Sequence, residues 1–151
     1  MIRLIGEVDC TVDNKSRLKI PSSILKQYGD APVEFIIQMG IDACLYLFRR
    51  AEWEEYQAKI DELDEFDPDQ MLLYRRLQHG TTILSMDSSE RVLLPKRLME
   101  QVGIDKEVCL YCRKSCIEIW DLKTFQDMMS QPLDVKLESA KYLSKTKSLS
   151  S

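Results

Sequence analysis

Histidine is nearly missing from this chain: His79 is the only one in 151 residues. A Ser-His-Asp or Cys-His set would have to draw its base from that single side chain, at what reads as a helix end, so hydrolytic and thiol catalysis lose their usual proton carrier. Glycine is scarce as well, with five in the chain and no Gly-rich loop able to cradle a phosphate. No apolar run approaches the roughly 20 residues of a membrane span. The opening Met1-Ile-Arg-Leu-Ile-Gly6 has neither the apolar length nor the cleavage site of a secretion signal. Five cysteines, an odd number, do not suit a secreted disulfide framework. The expectation is a cytoplasmic, non-enzymatic protein with reduced thiols, no cofactor and no membrane association.

What is present is unevenly distributed. Net charge is −4, which by itself argues mildly against a polyanionic partner, but residues 52–69 hold nine acids against Lys59 alone. Without that segment the remaining chain is positive. Residues 14–29 carry Lys15, Arg17, Lys19 and Lys26 and no acid, so the acidic total conceals a basic patch.

The chain also repeats itself, which has to be read before any local pattern. Asp13-Asn-Lys15-Ser-Arg17-Leu-Lys-Ile-Pro21 returns as Asp87-Ser-Ser-Glu-Arg91-Val-Leu-Leu-Pro95, at an offset of 74 that also pairs Ile24 with Leu98 and Gly29 with Gly103. After a two-residue gap the match resumes, with Cys44, Leu45, Leu47, Phe48 and Trp53 against Cys116, Ile117, Ile119, Trp120 and Phe125. Each copy spans about 50 residues, a size at which an isolated core is marginal, so the halves are expected to share one core.

Each copy reads as strand, strand, short helix, strand, strand. Val8, Cys10 and Val12 alternate with polar residues as in a half-buried strand; Asp13–Ser16 is turn-prone; and Leu18–Ile20 begins a second strand, which places Asp13–Arg17 at an exposed hairpin tip. Pro21 opens a helix that stops at Gly29, and Val33–Ile37 and Leu45–Phe48 follow as strands. Residues 51–80 connect the copies through two helices. The first carries a stripe of Trp53, Tyr56, Ile60 and Leu63 beneath an acidic face. The second starts at Asp67-Pro68, with Gln70 completing a capping box, buries Leu72, Leu73 and Leu77, and ends with Arg75, Arg76 and His79 before Gly80. The second copy covers 81–121, a helix capped by Asp121 opens a C-terminal helical region at 122–144, and 145–151 is expected to be disordered.

These paired Asp-x-x-x-Arg tips, each followed by aliphatic-x-aliphatic-Pro, with an aromatic-bearing helix after each unit, resemble the MraZ transcriptional regulators, relatives of the AbrB-type swapped-hairpin DNA-binding proteins. The resemblance runs from about Ile5 to Met129. It implies an α+β fold in which the repeats combine into one β-barrel with flanking amphipathic helices, and chains that assemble into rings. It also implies binding of double-stranded DNA at short direct repeats upstream of the division and cell-wall gene cluster, in a nucleoid-associated regulator. The family's DNA-contacting motif falls on Asp13, Lys15 and Arg17, and on Asp87 and Arg91. Lys19 and Lys26 add cations able to neutralise phosphates. Two departures stand out: Ser16 and Glu90 occupy the place before the arginine where the family usually has glycine, and Ser89 stands where Lys15 does. Glycine allows a positive φ, so both tips are expected to depart in shape, and the first is weighted above the second.

Other features have plainer readings. Cys109-x-x-Cys112-x-x-x-Cys116 has the look of a metal motif, but its first two members would point to opposite faces of one strand. Cys116 has a repeat partner in Cys44, so buried structural thiols are the better reading. Lys96 and Arg97 open a helix, an unfavourable place for cations unless something negative lies nearby. The competing reading of the whole chain is a ring-forming protein-interaction module, with a cysteine-based metal or redox sensor a distant third.

Overall fold

The computed structural model describes residues 2–150, the side chains of 145–150 excepted. The predicted disordered tail at 145–151 falls on these positions and lies outside the described residues, apart from the backbone of the last helix. The elements run β1 (Glu7–Thr11), β2 (Arg17–Lys19), α1 (Ser22–Leu25) with a 3-10 turn to Tyr28, β3 (Glu34–Met39) and β4 (Leu45–Phe48). The connection holds α2 (Arg50–Ile60) and α3 (Pro68–Gln78). The second copy follows as β5 (Thr82–Ser85), β6 (Arg91–Leu93), α4 (Lys96–Gln101), β7 (Glu107–Arg113) and β8 (Cys116–Asp121), then α5 (Leu122–Met129) and α6 (Val135–Ser150).

The repeats exchange strands. A six-stranded antiparallel sheet has the order β1-β7-β8-β4-β3-β5, so the first strand of each copy pairs with the third strand of the other. The second strands leave this sheet and pair with each other as a ribbon, β2 with β6. Leu18 faces Val92 across the ribbon and Tyr46 faces Glu118 across β4–β8. Each of these pairs joins equivalent positions of the two copies, so a pseudo-two-fold axis passes through both.

The expected closed barrel is not formed. Among the described residues the edge strands β1 and β5 do not pair with each other; the three-residue ribbon lies across the sheet instead, reached from β1 and β5 through the two tips. Strands this short cannot extend the six-stranded ladder to closure, and their inner residues Leu18 and Val92 are committed to the core.

Strand alternation divides the apolar residues between two faces. On one, Leu45, Leu47, Ile117 and Ile119 meet Leu18, Ile20, Val92 and Leu94 from the ribbon and Ile24 and Leu98 from α1 and α4. On the other, Tyr46, Phe48, Trp120 and Phe125 cluster under α2 and α5, with Phe48 stacked on Tyr56 at 5.1 Å and Trp120 edge-on to Phe125 at 6.0 Å. The shared core follows from this layering, and the repeat-equivalent Trp53 and Phe125 both pack into the second cluster.

Helix α2 packs through Trp53, Tyr56 and Ile60, whereas α3, which buries no residue, is fastened by polar bonds. Gln38, fully buried in β3, accepts from Trp53 Nε1 at 2.7 Å and donates to the Leu77 carbonyl at 2.9 Å, tying α2 and α3 to one strand. Gln78 donates to Gln57 Oε1 at 2.6 Å. Leu72 and Leu73, expected in the core, are about half exposed, at 54% and 49%, because α3 is held at its C-terminal end while its middle stands off the sheet. Asp67 does cap α3, accepting from Asp69 N at 3.0 Å. Gln70 departs from a capping box, since its Oε1 accepts from Asp64 N and its amide donates to the Asp67 carboxylate.

Replacing Gln38 by leucine should strand the Trp53 N–H and the Leu77 carbonyl in a dry environment, costing about 1–3 kcal/mol for each. Urea denaturation is expected to show that loss, with α2 and α3 losing hydrogen-exchange protection before the sheet does.

Candidate nucleic-acid interface

The two tips are built alike. Asp13 Oδ1 accepts from Lys15 N and Arg17 N, both at 2.9 Å, and its Oδ2 accepts from Arg17 Nε at 2.8 Å. Asp87 Oδ1 accepts from Ser89 N at 2.8 Å and Arg91 N at 3.0 Å, and its Oδ2 from Arg91 Nε at 2.9 Å. Backbone bonds between Asp13 and Arg17 and between Asp87 and Arg91 close each loop. An Asx-type turn of this kind needs a carboxylate at its first position and a left-handed residue before the arginine. Ser16 has φ +63° and Glu90 φ +62°. Both copies thus take the conformation that glycine would permit, and the aspartate's three hydrogen bonds offset the local strain.

The tips are also coupled. Ile20 N donates to the Glu90 carbonyl at 2.9 Å and Leu94 N to the Ser16 carbonyl at 2.8 Å, so each strained residue is clamped by the other copy's strand. Asp13 and Asp87 have carboxyls below the ordinary range, chiefly because the backbone N–H of Arg17 or Arg91 binds the ionised form, with Lys15 N or Ser89 N and the arginine side chain adding to it.

The ribbon turns one face outward. Leu18 and Val92 point into the core, which leaves Arg17 and Lys19 on β2 and Arg91 and Leu93 on β6 facing away. Lys19 sits directly opposite Arg91, and Arg17 opposite Leu93. Like charges face to face are unfavourable in isolation. Each arginine commits only its Nε to its aspartate, so both Nη groups lack a protein acceptor among the described residues. All six predicted positions, Asp13, Lys15, Arg17, Lys19, Asp87 and Arg91, lie on the ribbon or its two turns. Lys26 lies apart, in the turn after α1.

Cross-strand placement was beyond sequence reasoning: that Leu93 fills the position equivalent to Lys19 is readable, but not that it stands beside Arg17. The cysteines occupy both faces. Cys112 joins the main core, while Cys109, Cys44 and Cys116 lie in the aromatic cluster. Burial pushes Cys112 up to about 11, and Cys44 and Cys109 up to about 12, far from a reactive thiolate. No group of three or more His, Cys, Asp or Glu side chains able to hold a metal occurs among the described residues, and no helix is long and apolar enough to cross a membrane.

Two interlocked repeats thus present paired, aspartate-braced arginines on one ribbon. The family model described as "MraZ protein, putative antitoxin-like" matches residues 4–76 and again 77–143, and the chain belongs to the MraZ family. Among its relatives, the Transcriptional regulator MraZ of Cytophaga hutchinsonii is 29% identical over 144 residues, covering 94% of this chain and 95% of the relative. The protein of the same name from Christiangramia forsetii is 32% identical, covering 89% and 88%, and that of Clostridium acetobutylicum 30%, covering 87% and 90%.

Two outcomes test the turn chemistry. Ser16→Gly and Glu90→Gly should each relieve left-handed strain and raise stability by about 1 kcal/mol, read as a higher thermal midpoint. Because the folded-state pKa of Asp13 and Asp87 is lowered, their contribution is complete above the ordinary carboxyl pKa of about 3.9 and is lost as pH falls through the depressed value. Amide exchange at Arg17 and Arg91 should therefore accelerate below that range, and Asp13→Asn should remove the acid dependence at Arg17 alone.

Proposed function

We propose that the ribbon is a DNA-reading surface and that the protein is a sequence-specific regulator acting on short direct repeats upstream of its own operon, in the division and cell-wall gene cluster. The observation that carries this reading is the outward alignment of Arg17, Lys19 and Arg91, with each arginine's fork braced at Nε and its Nη groups unspent. A guanidinium fixed in that way is suited to the O6 and N7 acceptors of guanine in the major groove. In this reading Asp13 and Asp87 position the arginines without touching DNA, while Lys15 and Lys19 pair with phosphates and make affinity salt-dependent.

One ribbon is a small contact, so a homo-oligomer, ring-shaped as the family resemblance implies, would present several ribbons to repeated sites and gain avidity. The strand exchange between copies is consistent with a single-chain form of the AbrB-like swapped hairpin. A cytoplasmic, nucleoid-associated regulator fits these properties. The alternative of an interaction module draws support from exposed apolar residues outside the ribbon, among them Phe66, Leu133, Val135 and Leu137.

In mobility-shift assays at fixed salt, Arg17→Ala should weaken binding to DNA from upstream of the gene by about 10- to 100-fold, with relaxed sequence preference, the worth of about 1–3 kcal/mol for a bidentate base contact. Unchanged affinity and preference would remove Arg17 from the interface and favour the interaction-module reading.

A further inference from the structure

The pseudo-two-fold axis relates two sets of positions around the ribbon, and their charges differ. One set lines an open groove of about 620 Å³ between β5 and β6, to which Lys15 from the first tip and Lys96 from the start of α4 both contribute. Its floor is neutral: Thr82, Ile83, Ser85 and Leu93. Repeat equivalence places Ser89, Glu90, Asp9, Lys19 and Ser22 at the matching positions around β1 and β2, so two acids stand where the first set has none, against one lysine. Arg97, exposed beside Lys96, likewise corresponds to Ser23.

The basic side continues past the groove. α4 is six residues long, about 9 Å, and at its far end Gln101 joins Arg75, Arg76 and His79 around a further cavity of about 370 Å³. The end of α3 is pressed onto α4 there: a Cβ added at Gly80 would come within 2.5 Å of Leu98 Cδ2. Among the described residues none of Lys15, Lys96, Arg97, Arg75 and Arg76 is in an ion pair. Glu100, on α4, is the one acid on that helix. Five exposed cations without an ion pair thus line one side of a chain whose net charge is −4. Among the described residues the axis-related side has no counterpart of the Arg75–His79 stretch, because α3 precedes only the second copy.

We propose that DNA lying on the ribbon crosses the molecule on one side of its pseudo-two-fold axis, with a phosphate strand tracked by Lys15, Lys96 and Arg97 and then by Arg75, Arg76 and His79, while the equivalent positions Asp9 and Glu90 on the other side stay uncovered. This rests on the DNA-reading function assigned to the ribbon and adds a direction to it. The bound module points one way along the duplex, as suits direct rather than inverted repeats, and Lys96 and Arg97 at a helix start acquire the negative neighbour that their position calls for.

The test is fluorescence anisotropy of the full chain with a duplex from upstream of its own gene and a scrambled duplex of the same length, over a series of salt concentrations. Lys96→Ser/Arg97→Ser, which installs the first copy's residues, should lower the slope of log affinity against log salt by about 1.8, or 0.9 for each phosphate no longer neutralised, on both duplexes alike. Arg75→Ser/Arg76→Ser should do the same. Asp9→Ser, at the position equivalent to Ile83, and Lys123→Ser on α5 should leave the slope unchanged. All of these positions are exposed, and an unchanged thermal midpoint verifies the fold. A steep slope in the unmodified protein that both double variants retain, or a gain in affinity from Asp9→Ser, overturns the one-sided track and leaves the DNA-reading ribbon standing. Failure of the unmodified protein to bind either duplex overturns both.

Discussion

Everything in this structure depends on strand exchange between the repeats. Neither copy completes a sheet: β1 finds its partner in β7 and β5 in β3, while β2 and β6 have only each other. A 50-residue unit left to itself would expose most of its apolar strands to water. Interleaving instead buries Leu18, Val92, Leu45, Leu47, Ile117 and Ile119 in one interior. It also brings the two Asp-x-x-x-Arg segments to the ends of one ribbon, so the shared core and the paired tips have a single cause.

At each tip, one carboxylate does two jobs. Its Oδ1 holds two backbone amides and so fixes the turn, while its Oδ2 holds the arginine Nε and so aims the guanidinium. Tying turn shape and side-chain direction to the same aspartate lets the residue just before the arginine vary. Serine and glutamate are tolerated there at positive φ, because the bonds around them, including one from the opposite strand, outweigh a strain of about 1–2 kcal/mol.

The repeat, the order of elements in each copy and the turn at Asp13–Arg17 were legible because they rest on local signals: alternation, turn residues, Pro and Gly. The exposure expected of that whole turn holds only for Asn14 and Lys15; Asp13 and Arg17 are half-buried, and Ser16 is buried where Leu94 N binds its carbonyl. Opposite orientation of Cys109 and Cys112 followed from strand periodicity in the same way. What was not legible was set at long range. The sheet stays open because β2 and β6 stop after three residues and pair across the axis. Leu72 and Leu73 stay half exposed because a buried glutamine on β3, not an apolar stripe, decides where α3 rests. Capping at Asp67 was readable, whereas the reach of Gln70 back to Asp64 depended on how the preceding loop folds. In the candidate interface the six ribbon positions were named from the motif. Which of them stand opposite one another, and the lysine that α4 adds to the groove, required the register.

The connection formed by α2 and α3 has a consequence of its own. Since the copies recognise each other through main-chain pairing along whole strands, this segment is in effect a tether joining two halves of a dimer. Tethers of this kind hold their ends at millimolar effective concentration, so assembly of the pair is independent of how much protein a cell contains. It also releases the halves from having to be identical: one partner can shed a lysine or gain an acid while the other keeps its own, and the pair still finds itself.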